Sequence, residues 1–128
     1  MSSLFIAGVL GFFGVALGAF GAHGLQDWLA SLPDGAKRMG WWQTGVQYQL
    51  WHALLLVSIG LWRRTADSRT LRVATALVLT GCVLFSGSLF AMTLSGITIL
   101  GAVTPLGGLA FLGAWVCVNV AARSARAA

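Results

Sequence analysis

Between residues 73 and 122 the chain contains no Asp, Glu, Lys or Arg. A hydrocarbon core of roughly 30 Å is crossed by about 20 helical residues. A run of this length is too long for one crossing and must contain a turn. The turn signals are Ser95-Gly96 and Thr104-Pro105. Pro105 suits the first position of a helix and Thr104 its N-cap. Hydrophobic residues make up 58% of the 128 residues and charged residues 9%, whereas soluble domains are roughly half apolar and about a quarter charged. So small a chain has too much surface per volume to hide this much apolar area from water. The solvent for its surface is therefore expected to be lipid.

Reading outward from that run gives four candidate spans, at about residues 4–22, 42–62, 73–94 and 105–122. The expected fold is all-α: a polytopic membrane protein forming one domain, a bundle of four transmembrane helices. The first run has no Lys or Arg ahead of it. A secretory leader normally does, so the run is read as a retained span. The connection at 23–41 is the sizeable polar segment. In it Gln26, Asp27, Trp28, Leu29 and Leu32 are expected to form a short surface helix, and Pro33-Asp34 to start the next helix before it enters lipid. The apolar connection at 95–103 is expected at the interface or folded back on the bundle.

Charge sets the expected orientation. Arg63, Arg64, Arg69 and Arg72, against Asp67, share a side with Arg123 and Arg126. The other side holds Lys37 and Arg38, balanced by Asp27 and Asp34. The excess of basic residues on the cytoplasmic side of membrane proteins puts both termini in the cytoplasm of a bacterial inner membrane. Trp28, Trp41 and Trp42 then fit an outer aromatic belt and Trp62 an inner one. The net charge of +5 is read as a topology signal rather than a nucleic-acid footprint. The Arg-rich connection also has the composition to meet anionic lipid head groups.

The first span is dense in small residues, including Gly11, Gly14, Gly18 and Gly21. This spacing lets helix backbones approach closely in lipid. Packing within the bundle is the favoured reading, and a homo-oligomer interface the other. Gly87 is assigned the same packing role on the third span.

The second span carries the polar residues. Gln47, Thr44, Tyr48 and His52 fall on one arc of roughly 140°. Such groups cost free energy in hydrocarbon unless they find partners, and an ionisable residue at membrane depth is a functional-site hypothesis. Ser86 and Ser88 on the third span come to a similar depth, and Gly87 permits close approach. A polar pocket of Gln47, Tyr48, His52, Ser86 and Ser88, with His23 at its rim, is the candidate site. The competing reading is that His52 ties two helices together through a hydroxyl.

His23 and His52 do not suit a shared haem or metal, because their depths differ by about 13 Å. Cys82 and Cys117 lie in apolar runs without a CxxC spacing and read as small hydrophobes. No span carries a carboxylate, no nucleophile–base set is visible, and Gly107-Gly108 reads as close packing at a helix start rather than a phosphate loop. No catalytic residue, metal or cofactor is therefore expected.

Four segments then occur in order: residues 18–25 (GAFGAHGL), 47–52 (QYQLWH), 85–90 (FSGSLF) and 104–108 (TPLGG). Together they resemble the small bacterial membrane-protein family catalogued as domain of unknown function 423, whose eukaryotic relatives are known as transmembrane protein 256. The resemblance covers nearly the whole chain. It implies four spans and a bacterial plasma-membrane location, and it implies no activity. By the topology above, all four segments fall in the outer half of the membrane.

The functional expectation is a non-enzymatic accessory protein that binds membrane lipid or a larger membrane complex. The alternative is a small oligomeric transporter or channel using the polar face of the second span. An intramembrane enzyme using His52 ranks last.

Overall fold

A computed structural model of the chain describes residues 2–126. The side chain of Arg126, counted above with the basic tail, lies outside the described residues. The helices are longer than the apolar runs. Ser2 caps the first, its hydroxyl accepting from the Leu4 amide at 3.3 Å. Helix α1 (Ser3–Phe20) then passes through a π-helical turn (Gly21–Leu25) into α2 (Gln26–Ala30) without a break. Helix α3 spans Gly35–Thr65. Ser68 caps α4 (Arg69–Gly81), accepting from the Leu71 amide at 3.2 Å. A second π-helical turn (Cys82–Ser86) joins α4 to α5 (Gly87–Ser95). A 3₁₀ segment (Thr98–Ala102) leads into α6 (Thr104–Arg126).

These elements make four long rods. Among the described residues three are both long and apolar enough to cross a membrane: Ser3–Ala30, Arg69–Ser95 and Thr98–Ala125. That corrects the expectation of four apolar spans. The second rod, α3, has the length, but Gln43, Gln47, Gln49 and His52 dilute its apolar character.

The connections are also corrected. Residues 23–30 continue the first rod, so the segment expected at 23–41 shrinks to a turn at 31–34. Gln26, Asp27, Trp28 and Leu29 belong to that rod rather than to a separate surface helix. Leu29 is buried and packs with Leu25, Trp42 and Val46. The turn at Gly96 is as the sequence requires: its φ of +73° is a left-handed cap that glycine adopts without strain, and its amide donates to the Met92 carbonyl at 2.8 Å. The following 3₁₀ segment folds back on the third rod, with Gly101 against the Met92 sulfur. Thr104 differs from expectation. It is the first residue of α6, and its hydroxyl pairs with Ser88 at 2.7 Å.

Neighbouring rods pack in chain order, first on second, second on third, third on fourth. Small residues set the closeness of the two outer pairs. A Cβ added at Gly14 would meet the Leu50 side chain, at Gly18 Val46, and at Gly21 Trp42, while Gly60 sits against Leu4. These contacts step down α1 as they step up α3, so the two run antiparallel. The glycines of the first rod thus serve packing within the bundle. Gly8 and Gly11 are exceptions, with nothing within 4 Å of either would-be Cβ, and Gly24 meets only Phe20 of its own rod. Gly87 is likewise loosely packed, at 3.9 Å from the Cys82 carbonyl oxygen. Its predicted role falls instead to Gly107, where a Cβ would collide with the backbone of Leu84 and Phe85, and to Gly81 and Gly45, which seat the rings of Phe111 and Phe90. Gly107 is the close packing at a helix start that the sequence indicates.

Leu55, Leu56, Ile59, Leu71, Ala74, Val78, Phe111 and Ala114 form the main core where α3, α4 and α6 meet. Between lipid-exposed helices burial from water contributes little, and such cores are held by van der Waals contact and interhelical hydrogen bonds.

Candidate functional site

The structure does not gather the six predicted residues into one pocket. Ser86 is fully buried, but its hydroxyl donates to the Gly45 carbonyl at 2.7 Å, not to His52. Ser88 is held by Thr104 and by the Phe85 carbonyl. His23 is exposed on the first π-helical turn. Gln47 is exposed and lines a different groove, of about 470 Å³, between the first two rods with Gln26 and Gln43.

His52 and Tyr48 remain together, in a setting the sequence did not suggest. The His52 ring is only 4% exposed. Its Nδ1 lies 2.8 Å from the Tyr48 carbonyl oxygen, one helical turn back. The ring stacks on Phe111 of α6 with centroids 3.6 Å apart and planes 16° from parallel. Trp115 stands edge-on, its centroid 6.4 Å away. Tyr48 stacks on Phe85 at 4.5 Å. His52 Nε2 is buried with no hydrogen-bond partner. A buried polar group left unpaired costs about 1–3 kcal/mol, and among the described residues this is the one buried side-chain nitrogen or oxygen that intramolecular contacts leave unpaired.

The ring cluster lines a groove of about 680 Å³ between α3 and α6, with Phe85, Pro105 and Gly108 also in its walls. Its lips are Trp51, Leu109, Leu112 and Trp115, all close to half exposed or more. The groove is thus open to the side of the bundle. Its size is that of an ordinary small-molecule site. Aromatic periodicity was the signal available in sequence: Trp51 and His52 on α3, and Phe111 and Trp115 at i, i+4 on α6, lie on facing stripes.

The other buried polar side chains among the described residues find partners. Gln49 donates to the Leu10 carbonyl at 2.9 Å and Trp42 Nε1 to the Leu17 carbonyl at 2.9 Å, both tying α3 to α1. Thr93 donates to the Leu89 carbonyl at 2.8 Å and reaches the Arg38 carbonyl at 3.1 Å. The Arg38 guanidinium lies over Gly96 and 3.4 Å from the Thr93 carbonyl, a cation at the negative end of the third rod. At the opposite end Arg63 joins three rods. Its Nη1 donates to Ser3 at 2.9 Å and to Thr75 at 3.5 Å, and its Nε to Asp67 at 2.8 Å. Arg72 takes the other Asp67 oxygen at 2.7 Å. The Arg63 hydrogen bond, seconded by Arg72, holds the Asp67 carboxyl below its ordinary range, and the Arg38 hydrogen bond does the same for Asp34.

The comparisons with known proteins agree with this picture of a membrane protein. Residues 17–108 match the family model described as "Protein of unknown function (DUF423)". The chain is 47% identical to the UPF0382 membrane protein YwdK of Bacillus subtilis (strain 168), over 84% of this chain and 85% of that protein. It is 40% identical to the UPF0382 inner membrane protein YgdD of Escherichia coli (strain K12), over 93% and 87%. No solved structure matches the chain. The matched segment contains the second rod entire, the third, and the first from Leu17 onward, and on it the chain belongs to the family of unknown function DUF423.

Proposed function

We propose that the protein is a four-pass inner-membrane protein with both termini in the cytoplasm, and that it is a non-enzymatic binding protein rather than a catalyst. The second rod crosses with the other three. Support for its crossing is the inward satisfaction of Gln49 and the burial of His52, Leu55, Leu56 and Ile59 on the side facing its neighbours. The orientation rests on Arg63, Arg64, Arg69, Arg72 and Arg123 at one end of the bundle and the positive-inside rule. The observation that carries the function is the sideways aromatic groove with the unpartnered His52 Nε2. A groove open to lipid takes its ligand from the bilayer, so the bound molecule is a lipid or a membrane-dissolved compound.

A second reading has its own observation. Exposed Gln26, Gln43 and Gln47 border the groove between the first two rods. Polar side chains in that position are costly against lipid tails, which favours their being covered by a second copy or a larger complex, with transport along that face as the functional alternative. Native mass spectrometry of gently extracted protein separates the two. A monomer carrying a retained lipid-soluble molecule, lost when Leu109→Trp fills the aromatic groove, supports the binding reading. A bare homo-oligomer, unaffected by that change, sinks it in favour of the second.

A further inference from the structure

The tautomer of His52 narrows what its groove accepts, given the groove-binding reading above. The Tyr48 carbonyl oxygen can only accept, so His52 Nδ1 must carry the proton of their 2.8 Å hydrogen bond. No carboxylate lines the groove to balance an imidazolium. A neutral ring with its proton on Nδ1 leaves Nε2 as a bare lone pair, and because that atom is buried a bound molecule must part the surrounding rings to reach it. Within the protein that lone pair meets no donor. A bound molecule that satisfies it must bring an O–H or N–H.

The remaining surface of the groove is ring and hydrocarbon apart from the Tyr48 hydroxyl and the indole N–H groups of Trp51 and Trp115. Trp51 and Trp115 stand at its lips, 51% and 47% exposed, and suit a flat ring placed between them. Leu109 and Leu112, exposed beside them, offer an apolar path along which a tail can leave toward the bilayer. We propose that the groove binds a reduced isoprenoid quinone, its ring hydroxyl donating to His52 Nε2. The oxidised quinone carries carbonyl oxygens in the same place. At His52 it would set acceptor against acceptor, so the discrimination by redox state is made at that nitrogen, while the Tyr48 hydroxyl and the indole N–H groups can serve the oxygens of either form. A long-chain alcohol supplies the donor without the ring.

Calorimetric titration of the full chain in phosphatidylcholine nanodiscs, with decyl hydroquinone kept reduced, decyl quinone and decanol, tests this. The hydroquinone is expected to bind at least tenfold more tightly than either of the others. His52→Phe keeps a ring on Phe111 and removes the lone pair, and should bring hydroquinone and quinone within about twofold of each other. Leu109→Trp, at a lipid-exposed position, leaves the core intact and should abolish binding of both. Equal or tighter binding of the quinone, decanol matching the hydroquinone, or a preference that survives His52→Phe would each overturn the proposal. Should a co-purifying lipid depart in Leu109→Trp while the hydroquinone does not bind, this inference fails and the groove-binding reading stands. If neither a lipid nor the hydroquinone occupies the groove, both fail.

Discussion

At the scale of single residues, the polar arc of the second rod was only half legible. Gln47, Thr44, Tyr48 and His52 share an arc on a helical wheel, but the buried side of α3 runs from His52 through Gln49 to Val46. The reason is that α3 is packed on two sides, by α1 through Gln49 and Trp42 and by the third and fourth rods through Gly45 and His52. A single polar stripe read from composition cannot divide between two partners. Ser86 shows the other limit. It was read as level with His52, yet it sits beside Gly45, about two turns nearer the start of α3, and gives its proton to that carbonyl; backbone acceptors leave no trace in sequence. The glycines give the sharpest residue-scale test. Gly107→Ala should cost about 1–3 kcal/mol, because its methyl would meet the Phe85 backbone rather than a movable side chain. Gly11→Ala, in open space, should leave the melting temperature in detergent unchanged or slightly raised. Equal melting temperatures for the two variants would show that the third and fourth rods do not touch there.

At the scale of elements, the turn at Gly96 was legible, the cap at Thr104 was not, since that residue is the first of α6, and the polar composition of residues 23–41 hid the fact that both flanking helices run on through it. Exposed backbone can be helical or not at equal polarity, and here Leu25 and Leu29, packed on Trp42, decided it. Arg38 ties the start of α3 to the end of the third rod. Arg38→Gln should destabilise that junction by about 0.3–1 kcal/mol, read as faster amide exchange at residues 93–97 with the rest of the bundle unaffected. Asp67 links the Arg63 and Arg72 ends of two rods. Its carboxyl is more acidic in the folded protein than in the unfolded chain. The sign follows: the contribution is complete above the ordinary carboxylate value of 3.8 and is lost as pH falls through the lower folded value. The melting temperature of the parent chain should therefore drop more steeply below about pH 4 than that of Asp67→Asn. Parallel curves would remove Asp67 from the acid response.

At the scale of the molecule, the membrane character was fully legible and the exact division of the chain was not, because α3 carries Gln49 and His52 toward neighbours that only the fold reveals. Reporter fusions decide the orientation. Alkaline phosphatase joined after residue 32 should be active and joined after residue 125 inactive, while a fluorescent protein at the second position should glow; the reverse pattern would invert the topology. The glycine contacts add something about how such a chain is made. Gly14, Gly18, Gly21 and Gly60 lock the first rod to the second, and Gly81, Gly107 and Gly113 lock the third to the fourth, with the short segment at 66–68 between the two pairs. Each half leaves the ribosome with its closest partner already in hand. On the proposed four-pass topology biogenesis would proceed in two strokes, one hairpin inserted and zipped before the next emerges. Two separately translated halves, cut at that segment, should find each other in the bilayer and rebuild the whole.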